Sequence, residues 1–164
     1  MDLYLATVRW IHILCGIMWI GILYYFNFVQ VWSFANMEAP ARANAQKILL
    51  PRALLFFRWA ALLTWLVGII LIFSYGGTIA NYWNSPRFYA IVVGGTLGTI
   101  MFLNVWGIIW PNNKRLIEAV TAGNPPTPAW GRRGFLASRT NTMLSIPMVF
   151  FMVAAPFLGS IWPH

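Results

Sequence analysis

His12 and Arg9 are the residues of this sequence whose chemistry is hardest to reconcile with their surroundings. They lie in RWIHILCGIMWIGILYY, Arg9 to Tyr25, a run that is otherwise almost wholly apolar. An ionisable group inside a bilayer needs a reason to be there, and function is the default reason. At helical spacing Arg9, His12, Gly16 and Trp19 fall on one stripe, with Cys15 beside it. A neutral imidazole can ligate a metal or haem iron, and Gly16, one turn further on, leaves room for a flat macrocycle beside the backbone. The other reading of His12 is a buried side chain hydrogen-bonded to a neighbouring helix, and spacing alone leaves both open.

Further candidates are spread along the chain. His164, the only other histidine, is the last residue, so a bis-histidine haem is not expected from this chain alone. Methionine is an alternative soft ligand: Asn141, Ser145, Met148 and Met152 form a continuous stripe at helical spacing, which reads equally as core packing. Pro147 interrupts that segment and frees a backbone carbonyl. Arg58 lies two turns after Pro51, roughly 10 Å by the helical rise, where it either snorkels to headgroups or pairs with an anionic ligand such as a haem propionate. Asn104 needs a hydrogen-bond partner, as glue between helices or as part of a polar pocket. Gly94 and Gly98 make a small-residue face for a helix or flat cofactor. Trp19, Trp59, Trp65 and Trp106 are candidates to line such a pocket, whereas Trp10, Trp32, Trp83, Trp110 and Trp162 suit an interfacial belt.

The elements that must position these groups are membrane helices. The 164 residues are 60% hydrophobic and only 9% charged, against about a quarter charged in a soluble domain. Four apolar runs are long enough to span, which takes roughly 20 residues: near 3–31, 51–75, 88–110 and 138–158. They predict an all-α protein, an integral membrane four-helix bundle forming one transmembrane domain over 1–164. The start of the chain lacks a basic signal region and a cleavage site, so the first run is expected to be kept as a span. Between the first two spans, Asn36 and Pro40 suit the start of a short interfacial helix, and Pro51 the first turn of the second span. PNNKRLIEAVTAG predicts a surface extension of the third helix, with Lys114 and Glu118 one turn apart and Gly123 as its stop. NPPTPAWGRRG reads as a rigid basic connector.

Nine of the eleven cations (Arg42, Lys47, Arg52, Arg58, Lys114, Arg115, Arg132, Arg133 and Arg139) belong to the first and third connections or the spans they open; only Arg9 and Arg87 lie on the other side. By the positive-inside rule those connections face the cytoplasm and both termini face outward, N-out and C-out. The formal charge of +8 is therefore a topology signal beside apolar runs, and no nucleic-acid partner is expected. One cysteine excludes an intrachain disulfide and the C-x-x-C-H attachment of a c-type haem, so any haem is held non-covalently. No nucleophile-and-base pair, phosphate loop or Cys/His cluster is visible. Three acids are too few for a carboxylate metal site or a proton pump.

Three segments together resemble a known family. Arg9-Trp-x-His12-x-x-x-Gly16-x-x-Trp19-x-Gly21, Phe57-Arg58-Trp59 with Thr64-Trp65-x-x-Gly68, and Gly98-x-x-Met101-x-x-Asn104-Val105-Trp106 through Trp110-Pro111 to Lys114 are similar to the membrane domain of the bacterial cytochrome c-type urate oxidase (urate hydroxylase) family. Arg139-Thr-Asn141 to Ser145-Ile-Pro147 is similar too. The resemblance implies a multi-pass protein of the bacterial inner membrane, an oxidoreductase linked to oxidation of urate or a related molecule. It also implies electron transfer to a cytochrome c partner, which would be a separate protein here, and a functional pocket that includes His12 and Arg9. A weaker similarity runs to the membrane haem-dependent protoporphyrinogen oxidases, which have a haem-binding histidine in the first of four helices; this chain has no lysine in its third span to match that family's second ligand. The resulting expectation is a b-type haem on His12 with Arg9 near a propionate, and a cofactor site drawn from His12, Arg9, Gly16, Trp19, Arg58, Asn104 and Met148. The alternative is a non-catalytic accessory subunit of a larger respiratory or photosynthetic complex, packed through the Gly94 and Gly98 face in a homo- or hetero-oligomer.

Overall fold

Four long helices, joined by short turns, account for nearly all of the computed structural model, which describes residues 3–158. We label them α1 (Leu3–Asn36), α2 (Ala39–Thr78), α3 (Pro86–Thr121) and α4 (Pro128–Ala154). No strand is present among the described residues. Consecutive helices run antiparallel, and α1 returns to α4, so the four close into a bundle. This order is carried by side-chain pairs: Tyr4 with Ser74 and His12 with Thr64 between α1 and α2, Asn104 with Asn141 between α3 and α4, Tyr24 with Ser145 and Asn27 with Ser138 between α1 and α4. Aromatic rings join α2 to α3, with Trp65 stacked on Phe102 at 5.0 Å and Trp59 edge-on to Trp106 at 5.9 Å.

α1, α2 and α3 are long and apolar enough to cross a membrane. α4 is a helix of 27 residues but falls short on hydropathy, because Arg139, Thr140, Asn141 and Thr142 occupy the first half of the expected fourth span. Large apolar side chains also point away from the bundle, among them Ile17, Phe73, Leu103 and Phe150. An aliphatic and aromatic core around Leu23, Phe26, Leu54, Phe57, Met101 and Val105 fills the interior.

The helix boundaries differ from the sequence expectation in instructive ways. The separate interfacial helix before Pro51 is absent: α2 runs unbroken from Ala39 through Pro51, and the turn from α1 is only Met37 and Glu38. Pro40 does open α2 at its first turn. Pro51 removes one amide donor, at a cost of about 3 kcal/mol in a helix interior, but the alanine-rich segment before it and the leucine-rich segment after it both favour helix. α4 likewise begins at Pro128, so WGRRG is helical and not a connector, and it continues through Pro147. The α3 extension and the Gly123 stop are as expected: Gly123 has φ of 77°, and Lys114 lies 3.7 Å from Glu118. Two π-helical turns, at Tyr25–Gln30 in α1 and Val105–Ile109 in α3, had no forecast in the sequence.

Candidate functional site

His12 is set against α2 by a glycine and a carbonyl. Its ring occupies the place where a side chain at position 68 would stand: a Cβ on Gly68 would lie 3.0 Å from His12 Cε1. From there Nδ1 reaches the main-chain oxygen of Thr64 at 2.9 Å. A carbonyl oxygen can only accept, so Nδ1 carries the proton and Nε2 is left as the basic nitrogen. An imidazole fixed in one tautomer by a backbone carbonyl has the arrangement that orients histidine ligands to metals. Thr64 turns its own hydroxyl to the carbonyl of Ala60, at 2.7 Å. Gly16 stands opposite the Thr64 methyl, 3.8 Å from the position of its Cβ, so this glycine brings α1 close to α2.

Arg9, one turn before His12, is exposed and lines a cavity of about 390 Å³ together with Leu5, Tyr75, Thr78 and Arg87. Trp19, two turns after His12, is buried, and its indole N–H finds no hydrogen-bond partner. Arg58 neither snorkels freely nor meets an acid. Its guanidinium lies over the ring of Trp110 at 3.8 Å, with Trp106 and Trp59 at 5.8 and 5.9 Å, and its Nε is buried without a partner. Trp110 is thus part of this cation–π cluster and not only of an interfacial belt, while Trp59 is half-exposed.

The remaining expected residues lie elsewhere. Asn104 Nδ2 donates to Asn141 Oδ1 at 2.9 Å, and Asn141, fully buried, donates to the Met101 carbonyl at 2.9 Å. Asn104 therefore acts as glue between α3 and α4. Met148 packs on Gly98, and Met152 and Phe151 close over Gly94. That small-residue face is taken up by α4 within the chain, which leaves it unavailable to another subunit. Met148 belongs to the seam between α3 and α4, where it packs on Gly98, and His12 to the seam between α1 and α2. His164 and Trp162 lie outside the described residues.

Several participants were missed by sequence reasoning. Gly68 and Thr64 hold His12, yet one glycine and one threonine a turn apart are common in any helix. Asn27 donates to the Leu23 carbonyl at 2.9 Å and to Ser138 Oγ at 2.7 Å, inside the π-helical turn of α1. Ser145 Oγ donates to the Thr142 carbonyl, so the Tyr24 hydroxyl donates to Ser145, at 3.0 Å. Among the described residues no group of three His, Cys, Asp or Glu side chains is placed to hold a metal ion.

The fold and site define an all-helical protein with three helices long and apolar enough to cross a membrane and one oriented histidine. Its family model matches residues 78–161, just over half of the chain, and the chain belongs to the urate oxidase N-terminal family. The matched residues carry α3 and α4, with Asn104, Asn141 and Met148; His12, Arg9 and Arg58 lie outside them. No curated protein and no solved structure matches the chain.

Proposed function

We propose that this chain is a multi-pass protein of the bacterial inner membrane, with α4 as its fourth span and both termini outward. It binds a b-type haem through His12 Nε2 and passes electrons, from oxidation of urate or a related molecule, to a cytochrome c partner. The observation that carries this reading is the hydrogen bond from His12 Nδ1 to the Thr64 carbonyl. It holds the ring in the tautomer whose other nitrogen can ligate iron. The residues present suit such a group: an intramembrane imidazole locked by Thr64 and Gly68, with the Arg9 cation one turn away for a propionate. The bound haem would supply one-electron transfer; the chain itself positions the ligand through Thr64 and Gly68. Membership of the urate oxidase N-terminal family supports the assignment to urate chemistry.

The experiment is a reduced-minus-oxidised visible spectrum of the full chain in mild detergent, with pyridine haemochrome quantitation. A b-type α-band near one haem per chain, lost in His12→Ala, is the expected result. Haem-free protein that co-purifies with large subunits would overturn the reading in favour of an accessory role.

A further inference from the structure

In the sequence Arg87 is one of two cations outside the basic connections, and the fold brings it to the same cavity as the other, Arg9. The two come from α1 and α3 and meet across the end of α2, where Tyr75 and Thr78 complete the polar part of the wall. Leu5, Ile79 and Pro156 supply its apolar part. Neither guanidinium has a carboxylate partner among the described residues. The acids there are Glu38, in the turn at the far end of the bundle, and Glu118, which faces Lys114. Two like charges lining one cavity repel, and an anion between them relieves the repulsion. Arg87 is also oriented: its guanidinium lies over the Tyr75 ring at 4.4 Å, so its face is covered and its N–H edge remains for a ligand. Tyr82, packed 6.0 Å from Tyr75 between ring centroids, is buried and its hydroxyl has no partner.

We infer that Arg9 and Arg87 form a clamp for the anionic group of a small organic acid whose apolar body rests on Leu5, Ile79 and Pro156. Two forked donors suit a planar oxyanion, which each can bind through paired N–H groups. The volume lies within the range of small-molecule sites, about 300–1,000 Å³. Bulk aromatic carboxylates and the propionate of a haem on His12 share this chemistry. Only the second source rests on the haem reading.

The test uses the full chain in neutral maltoside detergent. Equilibrium dialysis measures binding of radiolabelled benzoate to haem-free protein, and haem retention is followed by transfer to apomyoglobin. Benzoate should bind near one per chain, and Arg9→Gln and Arg87→Gln should each weaken it by roughly tenfold or more, as loss of a charged hydrogen bond implies. Arg87→Lys, which keeps the charge without the fork, should fall between. Should benzoate not bind while both glutamine variants release haem faster than the parent, the clamp stands with the propionate as its occupant. Variants that bind benzoate and hold haem as the parent does overturn the inference. Absence of any haem band in the parent defeats the haem reading and leaves the benzoate result standing.

Discussion

The imidazole Nδ1 of His12 on α1 lies 2.9 Å from the carbonyl oxygen of Thr64 on α2, with the ring pressed against Gly68. This one relationship turns a stripe of residues on a single helix into a site between two. A methyl group at position 68 would stand 3.0 Å from His12 Cε1, closer than ordinary contact, with the helix backbone behind it and the imidazole in front. Gly68→Ala should therefore displace the ring from Thr64 and cost about 1–3 kcal/mol, the range for overpacking. Denaturant unfolding in detergent followed by circular dichroism measures the loss, and a fall in haem occupancy with helicity unchanged would tie it to His12. A variant as stable as the parent, with the same spectrum, would show that the ring is not held there.

Asn141 is the pivot of the other polar seam. Replacing it by alanine removes its bond to Met101 and leaves Asn104 without its acceptor. Interhelical hydrogen bonds in membranes average about 0.6 kcal/mol and reach about 1.7, so Asn141→Ala should lose at least that, plus the small cavity. A double-mutant cycle with Asn104→Ala should show coupling of about 0.5–1.5 kcal/mol. Additive losses would mean that the pair contributes nothing as a pair.

Arg58 and Trp110 give a charge-specific prediction. Arg58→Leu and Trp110→Leu each remove the 3.8 Å cation–π contact, worth about 0.5–2 kcal/mol. Arg58→Lys should recover less than half of that, because an ammonium does not lie flat on the indole as a guanidinium does. Equal stability of the lysine and arginine proteins would assign Arg58 a purely electrostatic role.

What was legible in the sequence follows from which signals are local. Helix number came through because each apolar run is long in itself, and the α3 extension because Lys114, Glu118 and Gly123 act within one segment. Helix ends did not, since Pro51 and the Trp130 to Gly134 stretch look like breaks until flanking residues are seen to carry the helix through. At the candidate site, His12 and Arg9 stood out as ionisable groups in apolar surroundings. Their partners did not, because Thr64 offers only a main-chain carbonyl, Gly68 offers only an absence of side chain, and Arg87 resembles any loop cation. Met148 stood on a stripe with Asn141 and Ser145, and Asn104 needed a partner, but neither signal states which helix it faces; both turn to the seam between α3 and α4. The π-helical turns at Tyr25–Gln30 and Val105–Ile109 lie beside Asn27 and Asn104, which bond across to α4, and no local residue pattern marks them.

Tyr82 supplies a prediction in pH. It lies in the turn between α2 and α3, and burial pushes its phenol above the ordinary value near 10, with Arg87 pulling it back and Tyr75 adding to the rise. The folded chain therefore holds the phenolic proton to higher pH than the unfolded chain does. Where the folded state binds more protons, stability falls as pH rises. The contribution of Tyr82 is thus full below about pH 10 and is lost as pH climbs through the folded value. Tyr82→Phe removes a buried hydroxyl that has no partner, so near neutral pH it should change stability by less than about 1 kcal/mol, or raise it. Above about pH 10 the phenylalanine protein should lose less stability than the parent over the same interval. Unfolding midpoints of both proteins between neutral and strongly alkaline pH measure the difference; parallel curves would mean that Tyr82 ionises in the folded chain as it does in the unfolded one.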